Sequence, residues 1–217
     1  LVFIILLFIL ENKLVGFLIR RLRNRPVHEL SFEEDLDVIQ ERNRIRSVFG
    51  NQFTLFVRDL NKYYGSFHAL KNVSFCVEMD ECMGLLGVNG AGKTTTFDIL
   101  TGISLSDGGI ALINGQPSYE TKGIGFCPQA DALLNEMTAK ELLSLMVALR
   151  GYTDVGERVS TVLEAIGLKE QARKIISKYS GGQRRRLSVG LALISQARVI
   201  LLDEPTAGID PKNRRHI

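Results

Sequence analysis

The sequence predicts an α/β domain with a largely parallel central sheet, and three observations predict it. Short apolar or alternating runs bounded by turn residues alternate with stretches carrying apolar residues at i, i+3 and i+4. A glycine-rich turn joins one such strand to one such helix. Three consecutive helical stretches interrupt the alternation before the last strand, which marks an inserted helical subdomain. In chain order, strands are expected at Phe53–Val57, Val73–Val77 and Met83–Leu86, then the turn Gly87–Thr94 and a helix over Thr95–Leu100. Ile110–Ile113 and Gly123–Phe126 read as further short strands. Helices follow at about 138–150, 154–166 and 180–196, and Val199–Leu202 is a continuous apolar strand ending at Asp203-Glu204.

Bulk properties agree with one such domain and exclude little else. With 217 residues, 45% hydrophobic and 24% charged, the chain suits a single α/β domain plus a short extension. A formal net charge of +3 is too small to argue for nucleic acid. Cys76, Cys82 and Cys127 show no C-x-x-C spacing, so they read as reduced thiols in a core rather than disulfides or a zinc site. The chain starts at Leu1 and stops at Ile217 inside a helix-like run, and it reads as a fragment whose domain is C-terminally truncated.

Ahead of the domain, Leu1 to Leu10 are all apolar, Glu11-Asn12-Lys13 interrupt, and Leu14 to Ile19 lead into Arg20, Arg21, Arg23 and Arg25. The basic flank follows the apolar run, which is the wrong order for a secretory signal. If residues 1–19 span a bilayer, Glu11 and Lys13 lie near its middle at about 2.5–3.5 kcal/mol each. If Leu1–Leu10 is the end of a transmembrane helix, it covers about 15 Å of a core about 30 Å thick and the charges sit at the interface. The second reading is preferred, with a juxtamembrane helix continuing to the arginines; a buried core helix is the bland alternative. Both membrane readings place Arg20–Arg25 in the cytoplasm. Residues 20–52, with Glu29, Glu33, Glu34, Asp35, Asp37 and Glu41 before Arg42, Arg44 and Arg46, read as a charged cytoplasmic linker.

The chemistry begins at Gly87-Val88-Asn89-Gly90-Ala91-Gly92-Lys93-Thr94, which fits G-x-x-x-x-G-K-[ST] between a strand and a helix. Glycines let successive N–H groups curl around a phosphate, and the helix N-terminus adds partial positive charge. Lys93 is expected to reach the β- and γ-phosphates of ATP, and the Thr94 hydroxyl to ligate Mg²⁺; Thr95 follows at the helix start. The strand Val199–Leu202 delivers the Asp203 carboxylate to the metal. Glu204, directly after it, is placed to orient or deprotonate the attacking water. A GTPase is disfavoured because Asn61-Lys62 is followed by Tyr63 and Tyr64, with no Asp for an N-K-x-D motif.

Further motifs carry a resemblance. Tyr179-Ser180-Gly181-Gly182-Gln183 is similar to the LSGGQ signature of ATP-binding cassette proteins, and Gln129 in Cys127-Pro128-Gln129 resembles their Q-loop. Ala207-Gly208-Ile209-Asp210 resembles the D-loop, and Tyr64 before Gly65 resembles the aromatic that stacks on adenine. These motifs cover residues 53–217 and imply a P-loop NTPase fold with an antiparallel β subdomain. The runs around Glu81–Gly90, Cys127–Leu133 and Asp203–Pro211 resemble the A subfamily, and the Tyr179 signature its second cassette.

The resemblance implies roles and partners. Gln129 would contact Mg²⁺ and sense the γ-phosphate, and Ser180–Gln183 would close on ATP held by a second nucleotide-binding domain packed head to tail. Leu1–Leu10 would then end the last transmembrane helix of a membrane transporter, with lipid as its substrate and the ATPase domain in the cytoplasm. The family's switch histidine lies beyond the D-loop; His216 is too close to Asp210 to be it. Arg184-Arg185-Arg186 reads as a solvated helix face, and nucleic acid is not expected as a partner. The rival class is a soluble cassette ATPase acting on nucleic acid or ribosomes.

Overall fold

The computed structural model describes residues 36–47, 50–121 and 123–206. In chain order these form α1 (Leu36–Arg46), β1 (Leu55–Tyr64), β2 (Phe67–Val77), α2 (Lys93–Leu100), β3 (Gly108–Ile113) and β4 (Gln116–Pro117). Then come β5 (Gly125–Cys127), α3 (Ala139–Leu149), α4 (Val155–Ala165), α5 (Gly181–Leu193) and β6 (Ile200–Leu202). The apolar run and arginines of residues 1–25 and the D-loop residue Asp210 lie outside the described residues. Among the described residues no helix is long and apolar enough to cross a membrane.

Two sheets make the frame. β2-β1-β3-β4 form an antiparallel sheet, the β subdomain that the resemblance implies, while β5 and β6 pair in parallel with Cys127 opposite Leu202. The parallel layer among the described residues is narrower than the alternation of strands and helices predicts, because Met83–Leu86 does not form a strand. Met83 is 40% and Leu86 93% exposed, and residues 81–88 have no ladder partner. An apolar run becomes a strand only where a neighbour takes up its backbone groups and covers its side chains.

β1 and β2 run well beyond the predicted Phe53–Val57 and Val73–Val77. The extension is hidden in sequence because its residues are polar. Asn61 and Lys62 are nonetheless buried, at 5% and 8% exposure. The Asn61 amide donates to Asp59 O (2.8 Å) and Asn72 Oδ1 (2.7 Å), and Lys62 Nζ donates to Leu105 O (2.5 Å). Buried polar groups with such partners are tolerated in a strand that periodicity alone would end. Tyr64 faces Phe67 across a two-residue hairpin in which Gly65 has φ 61°.

Within the stretch 20–52 read as a linker, α1 does more than space the chain. Its second half packs on the antiparallel sheet, with Ile45 fully buried beside Phe56 and Cys76 and Arg46 paired to Asp59 at 3.1 Å. Among the described residues of α1 Ile45 is the buried anchor, and the charged residues around it leave no apolar stripe to read.

The two main cores divide the molecule. One lies between the antiparallel sheet, α2 and β6, and includes Val57, Leu60, Leu70, Leu100, Ile113 and Leu201. The other belongs to α3, α4 and α5, with Leu143, Val147, Leu168, Ile176 and Leu187 all at 0% exposure. Each such side chain contributes about 1.5–3 kcal/mol on burial. α3 begins with a capping box, Thr138 and Glu141, and is followed by Gly151 at φ 80°, so both ends stand within one residue of the predicted 138–150. Cys76 and Cys127 are buried free thiols as expected, but Cys82 is exposed.

Candidate nucleotide-binding site

The glycine-rich turn folds into a loop that hands the chain to α2. Gly92 is the N-cap of α2 with φ 92°, a left-handed conformation, and no side chain caps the first-turn N–H groups. A Cβ at Gly92 would lie 2.4 Å from Leu70 Cδ2 and 3.0 Å from Ala69 O, so β2 presses on the loop from behind. Gly90 also has positive φ, at 83°, but there a Cβ meets nothing within 4 Å. Lys93 Nζ turns back over the loop and donates to Gly87 O (2.6 Å) and Val88 O (3.1 Å). Asn89, Gly90 and Ala91 are exposed, and Thr95 is half-buried on the first turn of α2. The result is a turn of main-chain donors and one ammonium at a helix N-terminus, the arrangement that binds an anion such as a polyphosphate.

The parallel pair β5–β6 brings the carboxylates to this loop. Asp203 N donates to Cys127 O at 2.9 Å, extending the ladder by one residue and aligning the two strand exits. Thr94 Oγ1 donates to Asp203 Oδ2 at 3.2 Å, although 109 residues separate them. Gln129 Nε2 donates to Glu204 Oε2 at 3.1 Å across the same exits. Asp203 is buried to 3% exposure, whereas Glu204 and Gln129 are exposed. Glu204 has φ 47°, a conformation costing about 1–3 kcal/mol for a non-glycine residue and kept only where the surroundings enforce it. Ligands of open α/β sheets collect at such carboxyl ends of parallel strands. Burial pushes the Cys127 thiol up, more than the nearby Arg185 lowers it, so the sulfur beneath the site stays protonated and inert.

A divalent metal fits this donor set. Among the described residues no group of three His, Cys, Asp or Glu side chains could hold an ion. Magnesium in phosphoryl-transfer sites needs less, one hydroxyl or carboxylate with phosphate and water oxygens completing the shell. Thr94 Oγ1 and the buried Asp203 carboxylate, already in hydrogen-bond contact, are such a pair.

The remaining expected residues are spread around this centre. Ser180 is the N-cap of α5: its hydroxyl accepts from Gln183 N (3.3 Å), and its own N–H donates to Gln183 Oε1 (3.0 Å). Gly181 and Gly182 open the helix with exposed and half-exposed backbone. Tyr64 is 50% exposed at the β1–β2 hairpin, with Lys62 Nζ 5.5 Å from its ring centroid. His68 stacks on Tyr63 at 4.0 Å and meets Asn61 Oδ1 at 2.9 Å, a structural role.

The arginine triplet is not a solvated face. Arg184 meets Asp131 at 3.7 Å and donates to Asn135 Oδ1 at 2.7 Å, while Arg186 donates to Ile166 O (3.3 Å) and Gly167 O (3.2 Å) past the end of α4. Arg185 is buried to 3% exposure. These guanidiniums bond carbonyls, an amide oxygen and a carboxylate of this chain. Sequence reasoning missed Arg185 and Asp131 as parts of this region, since a run of like charges gives no sign that its middle member points inward.

Known proteins with this arrangement agree. The ABC transporter family model matches residues 70–207. The chain is 45% identical to the ABC transporter ced-7 of Caenorhabditis elegans over 83% of its length. It is 40% identical to the human phospholipid-transporting ATPase ABCA3 over 98% of its length. It spans 11% and 14% of those two relatives' own lengths. Among solved structures, an ATP-binding subunit of an ABC transporter superposes with TM-score 0.67 at 26% identity, covering 75% of this chain and 71% of that one. A glycine loop on a helix N-terminus, a buried aspartate beside its threonine and this likeness make the domain an ABC-type nucleotide-binding cassette. The chain belongs to the ABC transporter family, and its relatives include members of the A subfamily.

Proposed function

We propose that this cassette hydrolyses Mg²⁺-ATP to drive transport across a membrane, with lipid as the transported class. The observation that carries the hydrolytic part is the meeting of two pairs, Thr94 with Asp203 and Gln129 with Glu204, at the exits of β5 and β6. Lys93 exchanges Gly87 O and Val88 O for the β- and γ-phosphate oxygens, and the loop amides of Asn89–Thr95 hold the remaining charge. Thr94, Asp203 and Gln129 would hold magnesium, which would supply charge neutralisation at the terminal phosphates, and Gln129 would sense the γ-phosphate. Glu204 accepts a hydrogen bond from the attacking water and holds it in line, acting as base as the bond to the leaving oxygen breaks. Tyr64 stacks on the adenine.

Ser180–Gln183 and Asp210 face a second nucleotide-binding domain packed head to tail, and the transmembrane domains receive the resulting motion. The lipid reading is supported by the phospholipid-transporting relative, and membrane attachment by the apolar run ahead of Arg20–Arg25. Purified full-length protein in phospholipid vesicles tests the proposal. Lipid-stimulated ATPase and movement of labelled lipid between leaflets are both expected, and both should vanish in Glu204→Gln while ATP stays bound. ATP turnover unchanged in Glu204→Gln removes Glu204 from the role. Release of the full-length protein by carbonate extraction favours a soluble cassette ATPase instead.

A further inference from the structure

Arg185 occupies a place that its neighbours in the sequence do not share. From α5 its guanidinium reaches under the strand exits and meets five main-chain carbonyls. Nε donates to Pro205 O (3.1 Å), and Nη2 to Asp203 O and Glu204 O (2.9 Å for the latter). Nη1 donates to Pro128 O (2.6 Å) and Gln129 O (3.2 Å), with the Asp131 carboxylate 3.5 Å away. An arginine has five N–H groups in a rigid planar fork, so each N–H faces a carbonyl. Three of those carbonyls belong to the segment leaving β6 and two to the segment leaving β5. The left-handed peptide at Glu204 is held from both sides, by the bonds to Asp203 O and Glu204 O.

We propose that Arg185 is a positioning residue for hydrolysis: it ties the Gln129 segment to the Asp203–Pro205 segment and so fixes the Gln129 amide against the Glu204 carboxylate. The proposal rests on the reading of Glu204 as the residue that acts on water. Arg185 also sits two residues after Gln183, so a movement of the start of α5 is transmitted to both loops through one planar group. Lysine brings three donors at a single point and glutamine two on its amide, so neither spans the five carbonyls. Both loops would then drift relative to each other, and Glu204 is free to leave its strained conformation.

The test is steady-state ATP hydrolysis by the full-length protein carrying Arg185→Lys or Arg185→Gln, with thermal unfolding and ATP affinity measured on the same preparations. A misplacement on the ångström scale is expected to lower kcat about 10- to 100-fold, with the KM for ATP within about twofold and the protein folded. Because Arg185 acts through Glu204, adding Arg185→Lys to Glu204→Gln should change turnover no further. Wild-type kcat in a folded Arg185→Lys protein overturns the proposal. So does a parallel loss of kcat and ATP affinity, or failure of both variants to fold, because either would make Arg185 a structural prop. Loss of turnover in Glu204→Gln with none in Arg185→Lys removes only this inference; full turnover in Glu204→Gln removes the reading beneath it.

Discussion

Two helix N-termini in this cassette, at the glycine loop and at Ser180–Gln183, are built differently. α2 starts at a left-handed glycine with no side chain to cap it, so its first-turn amides are left to a ligand. α5 starts at Ser180, whose hydroxyl and amide close a capping box with Gln183. No side chain caps the first terminus, whereas at the second the box takes up Gln183 N and Ser180 N. That difference suits the roles proposed for them: the first would take up phosphate directly, and the second would keep its shape until a partner cassette docks. The surroundings follow the same division. α5 is anchored in a core where Leu143, Val147, Leu168, Ile176 and Leu187 are fully buried. The P-loop stands exposed, pinned from behind mainly by Leu70 and Ala69.

The largest expected effect separates the two termini by chemistry. Lys93→Ala should lower ATP turnover of the full-length protein by about 100-fold or more with little change in unfolding temperature, because the ammonium rests on exposed carbonyls rather than in a core. A residual rate near wild type would place the phosphate elsewhere. Gly92→Ala comes next, and acts by sterics. The added Cβ meets Leu70 Cδ2 at 2.4 Å in a conformation that disfavours alanine, so a destabilisation of about 1–3 kcal/mol is expected with lost ATP binding. Calorimetry and a nucleotide titration check the two parts.

A matched pair sharpens the comparison further. Thr138 and Ser180 both close capping boxes, on α3 and α5. Replacing either by alanine should destabilise the protein by about 1 kcal/mol. Only Ser180→Ala should also reduce hydrolysis; equal hydrolysis in the two variants would make the signature serine a cap and nothing more.

The smallest effect is one of pH. The Thr138 backbone N–H, then its hydroxyl, donate to Glu141 and hold its carboxyl below the usual range. A depressed folded value means stability that is present above the unfolded carboxylate pKa of about 4.3 and is lost as pH falls through the folded value. Helical signal from this subdomain should therefore weaken below about pH 4, and Glu141→Gln should flatten that response.

Much of the site was legible because its chemistry is local. The Gly87–Thr94 loop, the Asp203-Glu204 exit and the helix starts at Thr138 and Ser180 each state their geometry within a few adjacent residues. What sequence alone could not show is what depends on distant partners. Gln129 and Glu204 meet across 75 residues, and only the parallel register of β5 and β6 brings them together. The polar end of β1 carries no strand pattern of its own, because Asn61 and Lys62 find their partners on β2 and around β3. Arg185 looked solvated because its carbonyl partners lie 18–20 and 56–57 residues away, on two other segments. Met83–Leu86 erred the other way, an apolar run with no strand to lie against among the described residues.

Equilibrium binding of fluorescent ATP to the folded full-length protein, with and without magnesium, bears most directly on the whole account. Saturable binding that strengthens with magnesium and disappears in Lys93→Ala is the expected result. Absence of binding to the folded wild-type protein, or binding that Lys93→Ala leaves unchanged, would contradict it.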